Sequence, residues 1–262
     1  MSARSTDLMP VLFVGHGSPM NAIEENRFHV AWRRIAERIP RPQSIVCVSA
    51  HWESNGVLVT SSTQPETIHD FTGFPTELAR FRYPAHGDPH LAERITEIVK
   101  HARVRMDPRR GLDHGAWGVL CAMYPDADVP VVQLSLDATE SAAFHYRLAK
   151  DLAPLRTRGV LILASGNIVH NLRRFEFERQ EAQDWALRFT EAVKQRIASF
   201  DHTDLVAYEK LGRDAQLSVP SPEHYWPLLY ALAQQSRADT VEFFNDEVVS
   251  SISMTSVLIG SS

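Results

Sequence analysis

The chain has 262 residues, 44% of them hydrophobic, with a formal net charge of −5. This suits a globular protein with a sizeable core, and the scattered, mildly acidic charge offers no basic stripe, which argues against a nucleic-acid partner. Two cysteines exclude a disulfide framework or Cys-rich zinc site, and no stretch approaches the roughly 18 apolar residues of a membrane span, so a reducing cytoplasm is the expected location.

Residues 1–8 hold no apolar run and no cleavable signal. They are expected to be disordered or extended, ahead of a single α/β domain over 9–262. The first strand is predicted at Val11–Val14 and a helix at Arg27–Arg38. Strands follow at Ser44–Ser49 and Val57–Ser61. The stretch from Thr63 to Pro89 is long and irregular but rich in aromatics, and reads as an ordered wall or lid. Helices are predicted at His90–His101 and Gly115–Met123, then a strand at Val129–Leu136. Asp137-Ala-Thr-Glu140 reads as a capping box opening a helix at Ser141–Leu155. A strand at Val160–Ala164 and a helix at Glu181–Ser199 come next. Ser221 as N-cap and Pro222 in the first turn mark a helix at Glu223–Gln235. The tail from Thr240 to Ile259 reads as two antiparallel strands at a sheet edge. Continuous Val/Ile/Leu runs suit strands covered on both faces, and the alternation with helices predicts a mostly parallel or mixed sheet flanked by helices.

Three apolar runs, VLFVGHGSP, SIVCVSAHW and VLILASGNIVH, each deliver a histidine at or just past the strand end: His16, His51 and His170. In such sheets ligands bind beyond the carboxyl ends of the strands, so these residues are predicted to converge there. His114 in LDHGAWG and His224 in SPEHYWPLLY are further candidates, and TIHDFTGFP adds His69 and Asp70. Clustered imidazoles can hold a metal ion with open positions or supply a general base. Each histidine also has a plainer reading: His114 as a helix cap, His224 facing solvent, the others bonded in loops. Asp113 and Glu223 are candidate carboxylate ligands, and Trp52, Trp117 and Trp226 read individually as core packing. His29, His86, His90, His101, His145 and His202 read as solvated surface. Cys47 and Cys121 read as small buried hydrophobes. Ser18 and Ser165 lie near candidate histidines but in no G-x-S-x-G elbow. H-E-x-x-H, P-loop and G-x-G-x-x-G patterns are absent.

Taken together, GHGSPMN, SAHW, IHDFTGFP, DHGAWG, SGNIVHN and SPEHYWPLLY resemble the class III extradiol ring-cleaving dioxygenases, most nearly their bacterial 4,5-DOPA extradiol group. The likeness runs from about Met9 to Ile259. It implies a catalytic α/β domain with a non-haem metal at the strand ends, held by His16, His51 and His224. It implies His170 as catalytic base, able to reach the metal when substrate is absent, and His114 as a second catalytic histidine. His69, Trp117 and Asn171 would line the substrate. The implied substrates are a DOPA-like catechol and O2, the implied cofactor is one Fe(II) per chain, and the product is of the muconate-semialdehyde type. The common non-haem iron triad has two histidines and a carboxylate. Here the third position is His224, which suits Zn(II) as well as Fe(II), and zinc has no redox chemistry. A homodimer is compatible with the resemblance. A zinc-dependent hydrolase and a metal-containing scaffold without turnover are the alternative readings.

Overall fold

The computed structural model describes residues 8–178 and 181–260. All but one residue of the expected N-terminal extension therefore lies outside the described residues. Ten strands occur among the described residues: β1 Val11–Gly15, β2 Ser44–Ser54, β3 Leu58–Thr60, β4 Arg105–Asp107, β5 Val131–Asp137, β6 Val160–Gly166, β7 Thr240–Phe244, β8 Val248–Val249, β9 Ile252–Ser253 and β10 Ser256–Gly260. The helices are α1 Arg27–Arg38, α2 Thr76–Arg80, α3 Pro89–Ile98, α4 His114–Met123, α5 Ala142–Lys150, α6 Asp184–Ala198, α7 His202–Val206, α8 Arg213–Ser218 and α9 Trp226–Leu232.

Eight strands form one mixed sheet in the order β4-β3-β5-β2-β6-β1-β10-β7. The central β5, β2, β6 and β1 are parallel, so their carboxyl ends share one rim. Strand alternation divides the core into two layers. Leu12, Val14, Ile45, Cys47, Leu161 and Leu163 face α1 and α4, while Val11, Phe13, Val46, Val48, Ile162 and Ala164 face α3, α5, α6 and α9. Each such buried side chain contributes about 1.5–3 kcal/mol of transfer free energy, and α4 and α9, buried on every side, are held in place by both neighbours and sheet. The tail forms an antiparallel edge as expected, β10 on β1 and β7 on β10. The short β8–β9 hairpin and β4 escaped the sequence reading because two or three residues carry no usable period.

Several local expectations need correction. Strand β2 does not stop at Ser49. It continues to Ser54 through an irregularity, with Val48 opposite Leu134 but Glu53 opposite Leu136, and His51 lies on this bulged stretch. Asp137 does not cap α5; its Oδ1 accepts from Thr139 N and Oγ1 in a tight turn, and Ser141 Oγ accepts from Phe144 N instead. The helix ends at Lys150 and a separate 3-10 turn spans Ala153–Arg158. The last helix begins at Trp226, with Pro227 in its first turn, so Ser221 is no cap; its hydroxyl donates to Glu223 Oε1 at 2.9 Å. His145 and His202 are buried, not solvated. Both are satisfied as neutral rings: His145 between Tyr230 OH (3.0 Å) and Asp137 O (3.2 Å), His202 between Tyr146 OH (2.8 Å) and Gln235 Oε1 (2.9 Å). His29 is half-buried, bonded to Asn21 O. His86, His90 and His101 are exposed, and both cysteines are buried free thiols.

The wall predicted between Thr63 and Pro89 is ordered by backbone pairing. Leu112 N donates to Glu66 O (2.8 Å) and Ile68 N to Leu112 O (2.7 Å), while Phe81 stacks on Trp117 at 5.3 Å. No helix among the described residues is long and apolar enough to cross a membrane.

Candidate metal centre

His16 directly follows β1, His51 sits on the bulge of β2, His114 opens α4, and His224 lies in the turn before α9. Two close approaches bring these elements together. A Cβ on Gly166, at the end of β6, would meet the carbonyl oxygen of His224, and one on Gly115 would meet Ser49 Oγ and the His51 ring. Glycine is needed at both positions for want of space. Asp113 caps α4 by accepting from Ala116 N at 3.2 Å. Its buried carboxylate also accepts from Ser49 Oγ (2.7 Å), Arg110 Nη2 (3.4 Å) and Gln133 Nε2. Arg110 in turn donates to His51 O at 3.1 Å. The bulge is thus braced from below by a carboxylate.

The ligating nitrogens of His16, His51 and His224 lie within 4.8 Å of one another, and His16 Nε2 is 3.1 Å from His51 Nε2. Hydrogen-bond partners fix which nitrogen carries the proton in His16 and His224. Ser165 donates its hydroxyl to Gly115 O at 2.5 Å, so it accepts from His16 Nδ1–H at 3.0 Å. Glu223 Oε1 accepts from His224 Nδ1–H at 3.0 Å, and Asp70 Oδ2 stands 3.5 Å from His51 Nδ1. Nε2 of His16 and of His224 is thereby left as a bare lone pair, and the carboxylate beside Nδ1 favours the same tautomer in His51. His224 Nε2 is buried without a hydrogen-bond partner. Two Nε2 atoms 3.1 Å apart are close enough to share a proton or to take a cation between them, and an outer acceptor on Nδ1 is the usual companion of a metal-bound imidazole. The donor set therefore fits one divalent ion, and these three residues would hold it.

The electrostatics agree. Burial first, then the neighbouring histidines, hold His16 and His224 well below the usual imidazole range. Burial and then His114 lower His51 to about 4, and burial lowers His170 to about 4. The rings are neutral at pH 7, as ligands and proton acceptors must be. Burial would raise the Asp70 carboxyl, but its hydrogen bond from His114 and the nearby imidazoles bring it to about 2.

His114 joins the cluster, its ring 3.9 Å from His51 and 5.8 Å from His16. His170 lies flat on His224, centroids 3.5 Å apart and planes 8° off parallel. Its ligand nitrogen groups with Glu223 and His224, outside the His16–His51–His224 set. The remaining expected residues sit further out. Trp117 is wholly buried, donating Nε1–H to Ile68 O at 2.8 Å beneath the 63–89 loop. Asn171 donates its side-chain amide to Leu217 O at 2.7 Å. His69 bonds Phe81 O at 3.0 Å and faces Trp117 and Phe71. Sequence reasoning weighed Ser165 only as a nucleophile, and Glu223 and Asp113 only as ligands; all three support histidines or the strand beneath them. Asp70 was seen beside His69 but given no part.

Residues 10–258 match the model of the catalytic LigB subunit of aromatic ring-opening dioxygenase. The chain belongs to this family. A "4,5-DOPA dioxygenase extradiol" of Escherichia coli (strain K12) is 44% identical over 98% of this chain and 96% of its own length. A protein of the same description from Beta vulgaris is 35% identical over 90% of this chain and 91% of its own. The crystal structure of an uncharacterized protein from Escherichia coli K12 superposes with a TM-score of 0.84 at 40% identity, covering 96% of this chain and 100% of that one. The fold and the histidine cluster are accordingly those of a non-haem metal-dependent extradiol dioxygenase acting on a catechol-like ring.

Proposed function

We propose that the chain is an Fe(II)-dependent enzyme that opens DOPA or a closely similar catechol beside its two hydroxyls, giving a muconate-semialdehyde-type product. The observation that carries this reading is the convergence of the His16, His51 and His224 ring nitrogens, with His224 Nε2 buried and orphaned. Bound Fe(II) supplies the redox path between an electron-rich catecholate and oxygen, which Zn(II) in the same three histidines does not. His170, a neutral ring stacked on His224 and still partly exposed, takes the role of base for a phenolic proton and returns it to the product. His114 faces the same space from α4 and, once Nε2 has taken up a proton, donates it as a hydrogen bond to negative charge that develops on oxygen.

The 63–89 loop supplies the aromatic side of the site. Phe71 lies edge-on to His114 at 5.6 Å and Phe74 edge-on to Phe71 at 5.4 Å, a surface suited to an aromatic ring. His69 borders it, while Trp117 and Asn171 support substrate by holding the loop and the segment after β6. Residues 9–262 act as one catalytic domain, in the cytoplasm, with no nucleic acid or membrane partner, and a homodimer is compatible with this. The test is anaerobic reconstitution with Fe(II), then L-DOPA and oxygen. Stoichiometric oxygen uptake with a yellow product is expected. Metal-loaded protein that consumes no oxygen with any simple catechol overturns the proposal.

A further inference from the structure

Asp70 is a carboxylate that faces the Nδ1 atoms of two of the clustered histidines. Its Oδ1 accepts from both the backbone N–H of His114 (3.1 Å) and His114 Nδ1–H (2.9 Å), while Oδ2 faces His51 Nδ1 at 3.5 Å. Among the described residues no other acceptor meets either ring's Nδ1. Asp70 does not come from the sheet or from α4 but from the 63–89 loop. That loop is registered two residues away, where Ile68 N donates to Leu112 O and Ile68 O accepts from Trp117 Nε1.

Resting on the reading of the cluster as a metal centre, we infer that Asp70 is a positioning residue that sets the ring tautomers of both His51 and His114. The loop thereby completes the centre as well as walling it. With Nδ1–H directed at Asp70, His51 keeps Nε2 bare toward His16. The double bond from Oδ1 to residue 114 fixes that ring's rotation and leaves its Nε2 free. A second metal ion among His51, Asp70 and His114 is disfavoured by the same geometry. The His114 backbone N–H and ring Nδ1 already bond Oδ1, and the second ring nitrogen faces Oδ2, which is how a hydrogen-bond acceptor is surrounded.

Two substitutions separate the two halves of this role. In Asp70→Asn, two donors on residue 114 keep the amide oxygen on that side and turn the amide NH2 toward His51. A donor there favours the His51 tautomer with Nδ1 bare and Nε2 protonated, the wrong one for a ligand, while His114 keeps its tautomer. In Asp70→Ala both rings lose their acceptor. Ring 15N shifts of the metal-free proteins should therefore change at His51 alone in Asp70→Asn and at both histidines in Asp70→Ala. Zinc affinity, from competition with a chelator, should fall about 10–100-fold in each. Wild-type tautomers at both rings in Asp70→Ala overturn the inference, as does zinc affinity within twofold of wild type in both variants. Wild-type protein that binds metal yet opens no catechol would defeat the proposed function while leaving this ring assignment standing, so the two failures are distinct.

Discussion

Replacing Ser165 by alanine isolates the part played by one hydroxyl. Ser165 is fully buried at the end of β6, accepting from His16 Nδ1 and donating to Gly115 O. Alanine leaves the Gly115 carbonyl without its donor and the His16 ring without its acceptor, and the void left by a single hydroxyl oxygen is too small for a replacement water. An orphaned buried acceptor costs about 1–3 kcal/mol. At about 2–4 °C per kcal/mol for a chain of this size, the metal-free melting temperature should drop by about 6 °C at the middle of that range. The second loss acts on metal. Without Ser165, His16 is free to carry its proton on Nε2, and affinity should weaken about 10–100-fold. Scanning calorimetry of the metal-free protein and chelator-competition titration with Zn(II) measure the two effects separately. Unchanged zinc affinity together with a lowered melting temperature would refute the tautomer argument, and no change in either would refute the hydrogen-bond assignment itself.

Three other perturbations probe different links. Gly166→Ala puts a methyl against the His224 carbonyl and Pro227; it should displace the 221–225 turn and abolish tight zinc binding even in protein that still folds, and full retention of affinity would show that the turn tolerates the shift. His170→Ala should keep metal content, since the His16–His51–His224 set is untouched, while catechol cleavage falls about 10²–10⁴-fold; loss of metal instead would make His170 a ligand. His145, held by burial at about 4 although Asp137 favours its charged form, takes up its proton more readily in the unfolded chain. Its contribution is intact above pH 6.5 and lost as pH falls toward 4, about 3 kcal/mol in all. The unfolding free energy of His145→Gln should therefore fall less steeply than wild type over that window, by up to about 1.4 kcal/mol per pH unit; parallel profiles in urea titrations would contradict the burial argument.

The sheet was legible because its central strands are unbroken apolar runs. β1, β5 and β6 are buried along their whole length, and a segment that must be dry on both faces announces itself in composition. The same logic located His16, His51 and His170 near one rim, and six spaced motifs together carried the family resemblance. Local signals misled where two starts competed, as at Asp137 against Ser141 and Pro222 against Pro227, because a cap is decided by which turn the neighbouring packing permits. His145 and His202 misled for a related reason: a polar ring is buried once partners remote in the chain satisfy it, and Tyr230, Tyr146 and Gln235 are not visible from either position.

What the chain by itself determined is which residue types stand at the strand ends and that they can bind a divalent ion. Which nitrogen of each ring faces inward was decided only in three dimensions. Ser165, Glu223 and Asp70 reach their histidines from a neighbouring strand end, an irregular turn and a distant loop. A hydrogen bond at 3 Å depends on distance and direction, and neither has a one-dimensional signature, whether the partners are adjacent, as Glu223 and His224 are, or far apart in the chain, as Ser165 and His16 are.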